Sequence, residues 1–352
     1  MFKNKLLVLL CLVFIVSACS QSDETTTNKG DSGGKEVKLT FTEPARLLSV
    51  APLYVAIEQG FFEKEGIEVE IVSGGGGAQV IASILSGEAQ FAVSGPRSMF
   101  TPLDKGEDLL AIQSLNSALT YQITLSKQYQ KKKGVSKDSS FEDRVASLSG
   151  ATIGTNLVGD SGDVYTRYLM QLHGVDPGSL KTVKLAGDGS KIGGMQEGIV
   201  DGGIASPPMG LQAGSKGVGE IVINTSEEPM YGNMVWEAVF AKKEYLEDNH
   251  ETSLKVVRAI GKGMEFTRSN PREAAESIVS YFDGIDVDIL EESIIGLKNT
   301  FKGNGEMNQE AWDNAQDPLV EFGKLSGVST KQDTTEDVIW TNSYIQEALK
   351  NN

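Results

Sequence analysis

Cysteine and histidine are nearly missing from this 352-residue chain, with two of each. Cys11 and Cys19 both lie close to the amino terminus, so the body of the chain has no disulfide framework and no thiol chemistry. His173 and His250 stand in Leu172-His173-Gly174 and Asp248-Asn249-His250-Glu251, a helix end and a polar run. Neither has partners at ligand spacing, so both read as surface histidines and no metal site or cofactor is expected. Positive charge is also short. With 32 Lys and Arg against 48 Asp and Glu, the net charge of −16 makes the protein a poor partner for nucleic acid or an anionic lipid surface. The triplet Lys131-Lys132-Lys133 is too little to change that.

Glycine, by contrast, is plentiful, with 39 residues, and it is patterned. From Gly74 to Pro96 the chain reads GGGGAQVIASILSGEAQFAVSGP: a glycine crest, a short amphipathic helix, and a strand ending at Ser94-Gly95-Pro96. Glycines at a strand exit let backbone approach a ligand, and the first N–H groups of the following helix can meet a negative group. The pattern returns between Gly187 and Pro207, where Gly198 precedes Pro207 as Gly87 precedes Pro96. Two such units imply two similar lobes with a ligand between them.

At the amino terminus, Lys3 and Lys5 precede the apolar run Leu6 to Val16, which is too short to span a bilayer comfortably. Val16-Ser17-Ala18-Cys19 resembles the lipobox of bacterial lipoproteins, which implies cleavage after Ala18 and diacylation of Cys19. Residues 1–18 are then a lipoprotein signal peptide and 19–36 a flexible tether, because the polar stretch QSDETTTNKGDSGGKE offers no burial to offset its ordering entropy.

Beyond the tether, strands are expected at Val37 to Thr42, Ile67 to Ile71, Phe91 to Val93, Leu109 to Leu115 and Tyr121 to Leu125, with helices between the first three. Gln128 to Arg144 is polar and aperiodic and reads as a solvated linker or loop. A second α/β layer follows from Leu148 to Asn224, Met230 to Lys242 returns to the first, and the remaining segments are helical, packing on lobe one and bracing the hinge.

Residues 51–71, APLYVAIEQGFFEKEGIEVEI, resemble the signature of solute-binding proteins of the nitrate/sulfonate/taurine type, a group that also includes binders of thiamine-pyrimidine precursors. Leu85-Ser86-Gly87-Glu88, the strand Phe91 to Gly95, Leu148 to Gly154, and Gly198 with Asp201 follow in the family's order. The resemblance implies an α/β fold of the periplasmic-binding-protein type II, with two α/β lobes joined by two crossover strands and a ligand cleft between them. Lobe one would comprise 37–122 and 231–352, and lobe two 123–230. It further implies capture of a small molecule and its delivery to the permease of an ABC importer; the lipobox adds a lipid anchor on the outer face of a bacterial cell membrane, a monomer is the default, and an enzyme on the same fold is the alternative that the shortage of cysteine and histidine argues against.

In such sheets the loops at the carboxyl ends of the strands face the cleft. The expected ligand-binding residues are then Leu48, Ser49, Gly75, Gly76, Ser94, Gly95 and Arg97 from lobe one, and Asp160, Ser161, Gly162, Ser206 and Pro207 from lobe two. Trp236 joins them from the return crossing, either stacking on a ligand or packing the hinge. Ser161 suits either an N-cap or a ligand contact; Arg97 suits an anionic ligand or a surface carboxylate such as Glu88 or Asp104. A sulfonate, taurine or nitrate is the expected solute. Asp160 and Asp163 depart from the family's hydroxyl and glycine pattern and would compete with an anion for helix N–H groups, which brings a pyrimidine or other nitrogenous ligand into contention.

Overall fold

In the computed structural model, residues 36–350 are described; the expected leader, Cys19 and all but the last residue of the expected tether lie outside them. Ten strands are described: β1 Val37–Glu43, β2 Ile67–Ser73, β3 Phe91–Ser94, β4 Leu109–Asn116, β5 Gln122–Ser126, β6 Thr152–Thr155, β7 Lys181–Lys184, β8 Gly202–Ala205, β9 Gly219–Asn224 and β10 Trp236–Lys242. They form two sheets, β2-β1-β3-β10-β4 and β7-β6-β8-β5-β9. In each, three strands run parallel and the fourth runs antiparallel to both its neighbours. That antiparallel strand is always the one arriving from the other lobe. The sequence repeat is thus a structural one, since β2-helix-β3 and β7-helix-β8 occupy equivalent places.

Local chemistry sets the elements. Leu39 and Phe41 of β1 alternate into the core, whereas β2 is an edge strand that keeps Glu68 and Glu70 out of it. Gly75, in the left-handed region at φ 74°, turns the chain from β2 into the helix Gly76–Ser86. Between β4 and β5, and again between β9 and β10, the chain crosses from one sheet to the other. The two crossings bond to one another, Leu119 N–H to Tyr231 C=O at 2.8 Å and Met234 N–H to Ser117 C=O at 3.1 Å.

The stretch expected to be a solvated linker is not one. Lys127–Lys133 and Phe141–Ala146 are helices, each started by a serine whose hydroxyl accepts a main-chain N–H: Ser126 from Tyr129 and Ser140 from Asp143. Gly134 closes the first in the left-handed conformation, and Tyr129, Val135 and Val145 are buried. Arg144, also buried, forms a two-pronged pair with Glu227 at 2.8 and 2.6 Å and donates to Val222 C=O. Its apolar anchors are too widely spaced to register as a period.

The later helices divide their loyalties. His250–Ser269, Pro271–Ile278, Val287–Leu297 and Ser343–Lys350 bury Leu254, Ala274, Leu290 and Ile345 in a core confined to the first lobe. The helix Gln309–Glu321 departs from the expectation that all would pack there. Trp312 and Ala315 belong to a second apolar cluster that runs from Met99 and Phe100 through Trp236 to Ile153 and Leu169, uniting both lobes. Tyr165 of the second lobe donates to Ala315 C=O at 2.6 Å, and Val235 of the return crossing donates to Ala311 C=O.

Candidate ligand site between the lobes

The carboxyl ends of the parallel strands in the two sheets face each other across a closed seam. Arg97 spans it. A terminal nitrogen donates to Gly159 C=O at 2.7 Å on the opposite side, while Nε donates to Ser326 C=O at 2.6 Å in the later helical part of the chain, so it pairs with neither Glu88 nor Asp104. Burial lowers its pKa, opposed by the Asp160 carboxylate nearby. Asp104 is engaged elsewhere, by the N–H and hydroxyl of Ser329. Thr120 on the outgoing crossing shares a 2.7 Å hydrogen bond with Ser206 at the end of β8, a second tie across the seam.

The other expected site residues fall into two groups. Ser94, Gly95, Arg97, Asp160, Ser206 and Trp236 gather at the seam. Ser94 donates to Ser98 Oγ at 2.8 Å, and a side chain on Gly95 would press on the Trp236 ring, 3.2 Å away. Leu48 instead belongs to the first-lobe core. The Gly76 N–H is spent on Pro44 C=O, and Gly75 turns the chain. Gly162 lets its helix lie on β8, since a Cβ there would sit 3.1 Å from Ile204. Pro207 is buried and bonded through a cis peptide to Pro208.

Asp160, not Ser161, caps the helix Ser161–Leu172. Its carboxylate accepts Asp163 N–H at 2.9 Å, Leu157 N–H at 3.1 Å and the Thr155 hydroxyl at 2.7 Å. Ser161 is the first helical residue. Asp163 is fully buried and accepts from Gly159 N–H, Arg167 and Thr182. Both carboxylates are therefore engaged in holding the loop and helix start. The histidines each bond one glutamate, His173 with Glu228 and His250 with Glu347. Among the described residues no group of three or more His, Cys, Asp or Glu could hold a metal ion.

Two buried ionisable residues, Lys191 on the helix Asp188–Gln196 and Glu237 on β10, escaped the sequence reading. Lys191, 1% exposed, donates to Asn156 Oδ1 at 2.7 Å, and burial pushes its pKa down. Glu237 lies at the start of β10 with φ 50°, one of two non-glycine residues in the left-handed region among the described residues. Its Oε1 accepts from Ser49 Oγ at 3.3 Å, while Oε2 and the Trp236 indole N–H are buried without a hydrogen-bond partner among the described residues. The tell-tale in the sequence was a lone charge inside the apolar run MVWEAVFA. Two open hollows, of about 490 Å³ beside Arg144 and about 440 Å³ beside Phe322, are lined by neither Trp236 nor Glu237.

Burial pushes the Glu237 carboxyl up to about 8 from 4.5, reinforced by the Glu43 charge and opposed by Ser49. Glu43 itself is raised by burial, against the pull of the Tyr54 hydroxyl and Arg46. A folded-state pKa above the unfolded one means that Glu237 favours folding most at low pH and loses that contribution as pH rises toward 8. Relative to Glu237→Gln, the native protein should therefore lose stability between pH 5 and 8, by up to about 1.4 kcal/mol per pH unit. Urea melts of both proteins across that range measure it, and parallel curves would show the carboxyl to be hydrated.

Comparisons with known proteins agree with this architecture. The family model described as "NMT1/THI5 like" matches residues 48–274. The chain is 25% identical over 318 residues to "Putative binding protein YtlA" of Bacillus subtilis (strain 168), covering 89% of each. Among solved structures, the periplasmic nitrate-binding protein NrtA of Synechocystis PCC 6803 superposes with a TM-score of 0.69 at 18% identity, over 90% of this chain and 89% of that one. The periplasmic aliphatic sulphonate binding protein SsuA of Escherichia coli gives 0.69 at 17% identity, over 88% and 99%. At those identities the likeness is one of fold, the two-lobed periplasmic-binding-protein fold. The family match covers well over half of the sequence, and the chain belongs to the NMT1/THI5-like family.

Proposed function

We propose that this protein is the solute-capturing component of an ABC-type importer, working outside the cytoplasmic membrane and closing two lobes, near 37–122 with 231–352 and near 123–230, over one small molecule. The observation that carries the reading is the pair of like-ordered sheets whose carboxyl edges meet at a seam bridged by Arg97. Separately built sheets, joined by two crossings and a shared apolar cluster and tied across the seam by Arg97 and Thr120, suit opening and closing about the crossings. Capture requires no bond to be made or broken in the solute. Anchoring through a lipid on Cys19, a monomeric state and delivery to a permease complete the proposal; no helix among the described residues is long and apolar enough to cross a membrane.

The solutes to try are those of the family resemblance: aliphatic sulfonates, taurine and nitrate, with pyrimidines as the nitrogenous alternative. A true ligand at about a hundredfold excess over its Kd should stabilise the purified protein by about 2.7 kcal/mol, seen as a higher melting temperature. The ligand should be recovered unchanged by mass spectrometry. Turnover of the ligand would replace capture with catalysis on the same fold, and silence toward every solute would remove the reading.

A further inference from the structure

We propose that Glu237, with the Trp236 indole beside it, is the point at which the cleft recognises a solute carrying a basic nitrogen: an ammonium, an amidine or an amino-substituted heteroaromatic ring. The proposal rests on the capture reading and deepens it. Glu237 is 2% exposed, yet one carboxyl oxygen has no partner and the other has only the 3.3 Å contact with Ser49. A buried polar atom left unpaired, on a residue held in a backbone conformation that side chains disfavour, is what a structure retains at a place of use.

The surroundings select the sign of the missing partner. Among the described residues no cation acts on the Glu237 carboxyl, and Arg46, Arg97 and Lys191 are engaged elsewhere: Arg46 with Glu43, Arg97 with two carbonyls, and Lys191 with Asn156 and, at 3.7 Å, Asp188. No side-chain cation bonds Glu237 among the described residues, and the neighbouring carboxylate Glu43 adds negative potential. The uncommitted donor beside it, the Trp236 indole N–H, could serve a single acceptor atom, whereas a basic nitrogen can take the Glu237 proton and pair with the carboxylate, which has no other cation among the described residues. The aromatic residues fit the same chemistry. Tyr121 and Tyr165 set their rings edge-on to Trp236 at 5.2 and 5.5 Å, and the Glu237 charge reaches Tyr121. Aromatic rings beside a carboxylate are a usual setting for a cationic or flat nitrogenous group, and the unpaired indole N–H calls for one acceptor atom on the same solute.

The test uses probes differing only at the nitrogen: taurine against isethionate, and aminopyrimidine against hydroxypyrimidine. Calorimetric titration of the native protein should show the nitrogen-bearing member of at least one pair binding about tenfold tighter or more, and Glu237→Gln should erase that preference. The glutamine variant should melt at or above the native protein at pH 8.5, which separates lost recognition from lost folding. If the oxygen analogues or nitrate bind as well as the nitrogen compounds, or if the variant keeps the preference, Glu237 is a structural acid and the proposal falls while capture stands. If no probe of either kind binds, both fall.

Discussion

Asp163→Ala should lower the stability of the protein by about 3–5 kcal/mol, the cost of removing one partner from a buried ion pair. The carboxylate is fully buried; one oxygen takes Arg167 Nε at 2.8 Å, and the other takes Gly159 N–H at 2.9 Å and the Thr182 hydroxyl at 3.0 Å. Alanine would leave the Arg167 charge in a site where its remaining bonds are to Pro177 and Leu180 carbonyls and, at 3.4 Å, to the Thr182 hydroxyl. It would also free the Gly159 N–H, on the very residue whose carbonyl receives Arg97 from across the seam. Denaturant melts measure the first effect, and small-angle scattering should detect the second as a larger radius of gyration. A loss under about 1 kcal/mol would mean that water replaces the carboxylate at little cost.

Trp312→Ala should cost a similar amount, about 3–5 kcal/mol, through the cavity it leaves. Trp312 is fully buried on the helix Gln309–Glu321 and meets the Phe100 ring edge-on at 5.8 Å, in the apolar cluster shared by both lobes. Its indole N–H has no partner among the described residues, so Trp312→Phe gives up packing volume but no hydrogen bond. The phenylalanine variant should therefore lose less than half as much as alanine. Equal losses in thermal melts would show that the indole N–H matters and that the site does not adapt.

How far these features could be seen beforehand depended on whether their causes were local. The glycine crests, the strand ends at Ser94 and Ala205, and the helix started at Asp160 follow from neighbours a few residues away, and they were legible. The cap itself was misplaced by one residue because Asp160 and Ser161 are both good caps, and only the bonds from Thr155 and Leu157 decide between them. Arg97 could not be resolved, since its partners Gly159 and Ser326 lie 62 and 229 residues away. The helices within 127–146 were hidden because their buried anchors Tyr129, Val135 and Val145 share no helical period. Glu237 showed itself only as a charge out of place.

The order of the first sheet has a consequence for how the chain is made. β4 has β10 as its one neighbour in that sheet, and β10 begins 120 residues after β4 ends. As the polypeptide emerges amino end first, β1, β2 and β3 can join at once, but β4 must wait until the whole second sheet has emerged. The second lobe is contiguous, from β5 to β9, and can complete itself during that wait. The insertion of β10 is therefore the step that finishes the first sheet, carrying Trp236 and Glu237 into place, and the helices from His250 onward can cover that sheet only afterwards.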